Sequence, residues 1–245
     1  MTSKKPDRLL LVVAARAPVP GQVKTRLCMH LAPETAADLY RCFLGDRIEE
    51  MAALKGIDLA ISYTPEDAAT YFARFACKGY ALFPQNGKDL GQRLTHIFAE
   101  KFTEGYDAVT VMDSDSPDLP GSIVQEAFGS LMSGQADAVF GPCHDGGYYL
   151  VGLREPHPEL FCNIPWSTAA VLDKTLAIAA GSAMKTRLLA FWDDLDTFED
   201  LLAYYRRHRR PGGDWPGVKT FNYLSQLEKI RDLYLKSLIF PAARG

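Results

Sequence analysis

The pattern of apolar and polar positions predicts strands and helices that alternate along most of the chain. Short apolar runs rich in β-branched or aromatic residues are typical of buried strands, whereas apolar residues three or four positions apart are typical of helices with one buried face. Strands are predicted over residues 9–14, 57–63, 80–83, 108–112, 137–141, 148–153 and 188–191. Helices are predicted over residues 34–54, 65–76, 90–102, 120–131, 169–180, 197–208 and 223–238.

The order of these elements indicates an α/β fold. Strands that alternate with helices over short connections form parallel, doubly wound sheets. The runs at 137–141 and 148–153 are an exception, because the few residues between them cannot hold a crossover helix. We therefore expect a mostly parallel sheet with at least one antiparallel pairing or a bent strand at this point. No internal repeat or clear linker interrupts the pattern, so a single domain over residues 1–245 is predicted.

The net charge, the apolar runs and the cysteine spacing exclude several classes of protein. A formal net charge of -3 and a pI near 6.0 are unlike the basic surfaces of general nucleic-acid binders, so no nucleic-acid partner is expected. The apolar run that begins at Leu9 is cut at Arg16, too early for a membrane span or a signal-peptide core. The five cysteines include no pair at C-x-x-C spacing, which indicates free thiols and predicts a cytoplasmic protein.

Two aspartates, Asp113 and Asp115, directly follow the predicted strand at 108–112. In α/β proteins, ligands bind beyond the carboxyl ends of the strands. Two carboxylates on a tight turn can share a hard divalent cation, which relieves their mutual repulsion. This position predicts a metal site for a phosphate-containing substrate. The alternative is an ordinary turn and helix N-cap, a role for which Asp118 is well placed.

A loop rich in proline and cationic residues follows the first predicted strand, over residues 15–27. Arginine offers a planar fork of donors and lysine a point charge, and together they can neutralise a diphosphate. The loop is neither a Walker A motif nor a G-x-G-x-x-G fingerprint, because both spacings are absent. Its position favours phosphate binding over a plain surface loop. The candidate phosphate-binding residues here are Ala15, Arg16, Gly21, Lys24 and Arg26.

Two further loops carry candidate chemistry. Gly146 and Gly147 would allow the backbone to approach a ligand, and the preceding Asp145 could bind an acceptor hydroxyl or act as a base. A tight turn between two strands is an equally good interpretation of this segment. Later in the chain, Asp196 could complete the divalent site, although Asp196 or Thr197 could instead cap the helix that follows.

Four motifs together resemble a bacterial family of the glycosyltransferase-A, or nucleotide-diphospho-sugar transferase, superfamily. The motifs are R-x-P-x-x-G-x-V-K-T-R-L from Arg16, D-S-D-S-P from Asp113, G-P-x-x-D-G-G-Y from Gly141 and W-S-T from Trp166. The likeness covers residues 9–202, nearly the whole chain. The run Q-x-G-x-D-L-G-x-R also resembles a family element, a loop near the substrate, which adds Gln85 and Arg93 to the phosphate-binding candidates.

The resemblance implies a three-layer α/β/α sandwich with a mostly parallel, mixed sheet. It also implies a D-x-D-type site in which Mg²⁺ or Mn²⁺ holds the diphosphate of a nucleotide. By position, Asp115 is similar to the main metal ligand of the superfamily and Asp196 to the second. Arg16 and Lys24 correspond to cationic residues that contact phosphates. The chain has Phe198 where nucleotidyltransferases of the superfamily usually have proline, which implies a slightly different start of the helix there.

Two transferase reactions are compatible with this pattern. A glycosyltransferase would move a sugar from a nucleoside-diphosphate sugar to a small-molecule acceptor, and this interpretation is favoured. A nucleotidyltransferase would join an NTP to a small phosphorylated acceptor. Residues 24–27 resemble guanylyltransferases that act on phosphorylated lactate, although the usual L-x-x-G-x-G loop of related nucleotidyltransferases is missing. A haloacid-dehalogenase phosphatase is disfavoured because its aspartate pair follows the first strand, and a non-catalytic nucleotide-binding protein is a further alternative.

The remaining candidates are assigned by role. Lys24 would stabilise the departing diphosphate and Asp145 would act as the base, which makes these two the catalytic candidates. The acceptor side is assigned to Gly146, Gly147, Tyr148 and Trp166. Trp166 is equally compatible with a packing role.

Overall fold

A computed structural model describes residues 6–209 and 215–239, with side chains described up to residue 234. Within them, seven strands form one sheet in the spatial order β3-β2-β1-β4-β6-β5-β7. The strands are β1 (Leu9–Arg16), β2 (Asp58–Thr64), β3 (Tyr80–Pro84), β4 (Ala108–Met112), β5 (Ala138–Pro142), β6 (Tyr148–Leu153) and β7 (Thr186–Leu188). The helices are α1 (Pro33–Ala52), α2 (Ala69–Phe72), α3 (Leu90–Thr103), α4 (Gly121–Met132), α5 (Val171–Gly181), α6 (Phe198–His208), α7 (Val218–Gln226) and α8 (Glu228–Ile239).

The sheet is mixed and mostly parallel. β1 lies parallel to β2 and β4, β2 lies parallel to β3, and β5 lies parallel to β7. β6 runs antiparallel to both of its neighbours, β4 and β5. The residues between β5 and β6 are too few for a crossover, so these two strands can pair only in the antiparallel sense. The predicted α/β fold with a mostly parallel, mixed sheet is confirmed.

Helices cover both faces of the sheet. Val12 of β1 shares a buried cluster with Leu94 of α3 and Leu172 of α5, so α3 and α5 lie on one face. Successive strand residues point to opposite faces. Gly152 lies between two members of that cluster in β6, and it faces Leu131 of α4. α4 therefore covers the other face, in agreement with the three layers implied by the resemblance.

The structure corrects three predicted elements. The helix predicted over residues 65–76 is an α-helix only in α2, which lies between the 3₁₀ turns Glu66–Ala68 and Ala73–Lys78. The strand predicted over residues 188–191 is displaced, because β7 ends at Leu188, where it pairs with β5 at the edge of the sheet. The backbone beyond β7 is bound irregularly, with the Trp192 N–H donating to the Pro142 carbonyl. The terminal helix predicted over residues 223–238 is instead two helices, α7 and α8, because Leu227 has an extended conformation between them.

The described chain separates into two compact units. The first unit comprises residues 6–17, 50–114 and 120–193, and it holds the whole sheet. The second unit comprises residues 18–49, 115–119, 194–209 and 215–239, and it holds most of α1 together with α6, α7 and α8. The single domain predicted for residues 1–245 stays a prediction.

Polar and aromatic contacts join the helices of the second unit. The Asp46 carboxylate of α1 accepts the N–H groups of Lys219 at 2.9 Å and Thr220 at 2.8 Å, in the first turn of α7. A glycine at the N-cap of α7 offers no side chain for this purpose, so Asp46 satisfies two N–H groups that the helix leaves open. Tyr205 of α6 stacks on Phe221 of α7 with ring centroids 5.3 Å apart.

Two general features complete the fold. None of the five cysteines, all within the described chain, forms a disulfide. Among the helices of residues 6–209 and 215–239, none is long and apolar enough to cross a membrane.

Candidate functional site

An ion cluster in the second unit joins three of the predicted site residues. The ammonium group of Lys24 lies 2.7 Å from Asp196 Oδ1 and 2.9 Å from Asp115 Oδ1. The lysine side chain is only 4% exposed, whereas the Asp115 and Asp196 side chains are 34% and 41% exposed. These three residues, the Lys24 cluster, therefore combine an enclosed cation with two carboxylates that solvent can reach.

The loop before α1 directs Lys24 inward. Val23 and Leu27 on either side of it are buried, and a 3₁₀ turn begins at Thr25. Gly21 has a φ of +74°, and Lys24 itself has a left-handed backbone with φ 47° and ψ 43°. For a residue other than glycine this conformation costs about 1–2 kcal/mol. The ion pairs of Lys24 and the burial of its neighbours offset that cost.

Two hydrogen bonds align the segments that carry the aspartates. The Leu195 N–H donates to the Asp115 carbonyl at 3.1 Å. The Ser116 hydroxyl donates to Asp194 Oδ1 at 3.1 Å. Because these bonds set the register of the two segments, the side chains of Asp115 and Asp196 meet at the same ammonium group.

Thr197 is the N-cap of α6. Its hydroxyl accepts the Asp200 N–H at 3.2 Å, and Asp200 Oδ2 accepts the Thr197 N–H at 2.7 Å. This capping box satisfies the start of the helix without the side chain of Asp196. The Asp196 carboxylate is instead held by Lys24 and, at 3.6 Å, by the largely exposed Arg26.

The charges of the cluster shift one another's pKa. Burial lowers the pKa of Lys24, but the attraction of Asp115 and Asp196 outweighs burial, and the net shift is upward. Burial raises the pKa of Asp196, but the charges of Lys24 and Arg26 outweigh it, and the net shift is downward. Lys24 and Asp196 therefore both stay charged at neutral pH.

The donors of the cluster fit a hard divalent cation. Asp115 and Asp196 offer carboxylate oxygens, the ligands that Mg²⁺ and Mn²⁺ prefer. Across residues 6–209 and 215–239, no group of three or more His, Cys, Asp or Glu side chains is arranged to hold a metal. A cation held by the two aspartates would take its other ligands from water and substrate phosphates, as Mg²⁺ commonly does. Asp113 lies in the first unit, where its N–H donates to the Tyr149 carbonyl at 2.9 Å, and its metal role stays a prediction.

The N-cap role predicted for Asp118 is wrong. The N-cap of α4 is Pro120, and no side chain caps that helix. Asp118 is buried, and its Oδ2 lies 2.6 Å from Arg207 Nη2 and 2.6 Å from His208 Nε2, both in α6. The segment that begins at Asp115 is thereby tied to α6. In the sequence, only the basic residues at the end of α6 indicate that this helix could bind a carboxylate. No local pattern identifies Asp118, 89 positions before Arg207, as that carboxylate.

In the first unit, the structure brings three predicted phosphate-binding residues together. Gln85 Nε2 donates to the Ser62 carbonyl at 2.9 Å and to the Ala15 carbonyl at 3.5 Å. Arg93 Nη1 donates to Gln85 Oε1 at 3.3 Å. These bonds position the loop after β3, and phosphate binding by these residues stays a prediction. Arg16, at the end of β1, is exposed.

The connection between β5 and β6 is a tight turn. Asp145 Oδ1 accepts the Gly147 N–H at 2.8 Å, and Gly146 has a φ of +88°. A Cβ on Gly146 would collide with the Ala169 carbonyl, and the Gly146 carbonyl accepts the Leu172 N–H at 2.9 Å. The absence of a side chain at Gly146 therefore allows the backbone around Ala169 to pack against this turn. The Asp145 side chain is exposed, and the acceptor roles of this turn stay predictions.

Tyr148 and Trp166 pack against the core of the first unit. Their ring centroids lie 6.3 Å apart in an edge-to-face arrangement, and the Tyr148 ring also meets Phe140 at 5.6 Å. Burial raises the pKa of the Tyr148 hydroxyl. Trp166 also lines a cavity of about 520 Å³ beside α3, a volume that suits a small ligand. The packing role is thus observed for both residues, and their acceptor role stays a prediction.

The chain is similar to proteins found in several bacteria. Residues 47–168 match the model of a family described as uncharacterized proteins conserved in bacteria, DUF2064. The crystal structure of a "putative nucleotide-diphospho-sugar transferase" from Desulfovibrio desulfuricans G20 is 34% identical in sequence, with a TM-score of 0.83. The match covers 93% of this chain and 98% of that one. In a comparison with curated proteins, none matched the sequence.

Two more distant structures share the fold. A cytidylyltransferase from Leptospira borgpetersenii serovar Hardjo-bovis is 12% identical, with a TM-score of 0.56 over 91% of this chain and 96% of that one. The CMP:2-keto-3-deoxy-manno-octonic acid synthetase, in complex with CTP, is 10% identical, with a TM-score of 0.53 over 81% of this chain and 97% of that one. At these identities the likeness is one of fold alone.

Proposed function

The chain belongs to the same family as the Desulfovibrio desulfuricans G20 protein, and we propose that it is a metal-dependent, nucleotide-using transferase. The favoured reaction moves a glycosyl group from a nucleoside-diphosphate sugar to a small-molecule acceptor. The observation that carries the proposal is the Lys24 cluster, where an enclosed ammonium group meets two partly exposed carboxylates. Such a group of charges matches the needs of a metal-bound diphosphate.

Each charged residue has a role in binding the diphosphate. Asp115 and Asp196 would hold Mg²⁺ or Mn²⁺, which when bound supplies positive charge to the phosphate oxygens. Lys24 would bind a phosphate oxygen as a point charge, and Arg26 would bind one through its planar fork of donors. Arg26 is 70% exposed and lies 3.6 Å from Asp196, so it can turn toward a phosphate at little cost.

The same residues would stabilise the departing diphosphate. When the bond between the sugar and the diphosphate breaks, negative charge grows on the leaving phosphate. Lys24 is enclosed beside the two carboxylates that would hold the cation, so its ammonium group lies close to where that charge grows. Loss of one such group typically lowers kcat by about 10²–10³. We assign the base that activates the acceptor hydroxyl to the exposed Asp145.

Nucleotidyl transfer to a small phosphorylated acceptor is the second candidate. It is favoured by residues 24–27, whose K-T-R-L sequence resembles guanylyltransferases and includes the buried Lys24. Lys24 and the cation that Asp115 and Asp196 would hold would then neutralise the pyrophosphate that leaves an NTP. A non-catalytic nucleotide-binding protein would use the same cluster without turnover.

A thermal-shift panel tests the proposal. NTPs, NDPs and NDP-sugars are added with and without Mg²⁺ or Mn²⁺ to the wild type, to Asp115→Ala and to Asp173→Ala. Asp173 is a matched control, because it is an exposed aspartate in the first turn of α5. A ligand at about 100 times its Kd stabilises the folded state by about 2.7 kcal/mol, which corresponds to a rise in Tm of about 5–10 °C for a chain of this length. We expect this metal-dependent rise in the wild type and in Asp173→Ala, and none in Asp115→Ala.

The ligand class that raises Tm identifies the chemistry. Stabilisation by an NDP-sugar, followed by its turnover, supports glycosyl transfer. Release of pyrophosphate from an NTP refutes glycosyl transfer and supports the second candidate. Stabilisation without turnover of any nucleotide supports the non-catalytic alternative. No rise with any nucleotide, or an equal rise in Asp115→Ala, refutes the metal–diphosphate site.

A further inference from the structure

The ammonium group of Lys24 lies where a divalent cation would find its protein ligands. It is 2.7 Å from Asp196 Oδ1 and 2.9 Å from Asp115 Oδ1, so both carboxylates direct an oxygen at one point. A cation held by these two aspartates would need oxygens from both of them. The lysine and the cation therefore draw on the same donors.

The protein encloses Lys24 at this point. The side chain is only 4% exposed, and its Nζ lies 5.4 Å from the centre of the Phe43 ring, which also attracts a cation. The left-handed backbone of Lys24 and the burial of Val23 and Leu27 keep the side chain pointing inward. An exposed ion pair exchanges readily with ions from solvent. The enclosed ammonium group of Lys24 instead has to be displaced by an incoming cation.

We propose that Lys24 and a divalent cation compete for the carboxylates of Asp115 and Asp196. The two carboxylates then hold the cation tightly only when nucleotide phosphates have drawn the ammonium group of Lys24 away. The inference rests on the proposed function and concerns the order in which the ligands of that site bind. A divalent cation neutralises two carboxylates by itself and leaves Lys24 as a buried excess charge, which is costly. The phosphates supply the missing negative charge, so metal and nucleotide bind with positive coupling.

Titration of the protein with Mn²⁺ alone tests the competition. Free Mn²⁺ is measured by electron paramagnetic resonance, which requires no activity. Lys24→Met removes the ammonium group and keeps an apolar stem, so we expect it to bind Mn²⁺ at least about tenfold more tightly than the wild type. Lys24→Arg keeps the positive charge and should bind Mn²⁺ as weakly as the wild type.

Lys101 provides a matched control in the first unit. Its ammonium group is also buried and also bridges two carboxylates, 2.7 Å from Glu100 Oε1 and 2.7 Å from Glu104 Oε1. Lys101→Met should leave Mn²⁺ binding at the wild-type level. An equal gain in Lys24→Met and Lys101→Met would show that any released carboxylate pair attracts Mn²⁺, and it would overturn the inference.

Unchanged Mn²⁺ affinity in Lys24→Met would also overturn the inference. If that variant lacks a cooperative unfolding transition, Lys24→Gln is titrated in its place and judged by the same tenfold criterion. The thermal-shift panel separates this result from the proposed function. Nucleotide stabilisation of the wild type without a gain in Lys24→Met refutes the competition alone. A gain in Lys24→Met without any nucleotide effect supports the shared position and refutes the proposed function.

Discussion

Asp118→Ala tests how the segment that begins at Asp115 is held. The Asp118 side chain is only 2% exposed, and its Oδ2 lies 2.6 Å from both Arg207 Nη2 and His208 Nε2. The substitution removes the acceptor of both contacts at once. It leaves a small cavity between the segment and α6, and it leaves the two donors of α6 without this partner.

The expected cost follows from how well each donor can regain water. Removal of one partner from a buried ion pair costs about 3–5 kcal/mol. Arg207 is 56% exposed and can be rehydrated, whereas His208 is only 11% exposed and cannot. Because the contact with the exposed Arg207 contributes little, we expect Asp118→Ala to lower the free energy of unfolding by about 2–3 kcal/mol.

Urea denaturation of the wild type, of Asp118→Ala and of Arg207→Ala measures the free energy of unfolding that each substitution removes. Arg207→Ala removes only the exposed donor, so it should cost less than about 1 kcal/mol. Asp118→Asn keeps an acceptor oxygen of the same shape and should fall between the two. If Asp118→Ala cost no more than Arg207→Ala, the contact with His208 would carry no stability, and the account of how the segment is held would be wrong.

Three further predictions concern two helical glycines, the pKa of Asp196 and the role of Arg26. Gly91→Ala should lower the free energy of unfolding by about 1–3 kcal/mol, because a Cβ there would meet a backbone carbonyl. Gly129→Ala, in an open position of α4, should raise the free energy of unfolding by roughly 0.5–1 kcal/mol. Thermal unfolding should show a lower Tm for Gly91→Ala and a higher Tm for Gly129→Ala than for the wild type. The lowered pKa of Asp196 predicts stability that is full above the ordinary carboxyl pKa of 3.8 and lost as the pH falls through the depressed value. Urea denaturation at about pH 5 and about pH 3 should show a smaller acid loss in Lys24→Met than in the wild type, and equal losses would contradict this cause of the shift. Arg26→Ala should change the free energy of unfolding by less than about 0.5 kcal/mol yet weaken stabilisation by metal and nucleotide, and full retention of that stabilisation would exclude Arg26 from the phosphate site.

The predicted elements succeeded or failed according to how local their signal is. The strands at Ala108–Met112 and Tyr148–Leu153 have the predicted bounds, because each coincides with one short run rich in apolar, aromatic or β-branched residues. The strand predicted at 188–191 is displaced because β7 is a three-residue edge strand whose position is set by its pairing with β5. A local apolar pattern carries no information about that partner.

That Asp115 and Asp196 lie together was predicted, and that the ammonium group of Lys24 lies between them was not. The types and positions of Lys24, Asp115 and Asp196 indicated cation and phosphate chemistry. The contact of Lys24 with both carboxylates could not be predicted. Its side chain is directed by a left-handed backbone, a conformation that glycine usually marks in a sequence, and here the residue is a lysine. Asp118 was assigned to the wrong role because a short-range capping rule was applied to a side chain whose partners lie in α6.

The sequence by itself determined the α/β class, most of the strands and helices, and the residue types of the proposed diphosphate site. Hydrophobic periodicity and side-chain chemistry are local properties, and a single chain displays them without its partners. Only the tertiary structure decided that Lys24 contacts an aspartate 172 positions away, and that Asp118 is held by residues 89 and 90 positions away. Such contacts depend on the whole path of the chain, because the burial of apolar residues elsewhere brings distant charges together, and no local pattern of the sequence records which of them will meet.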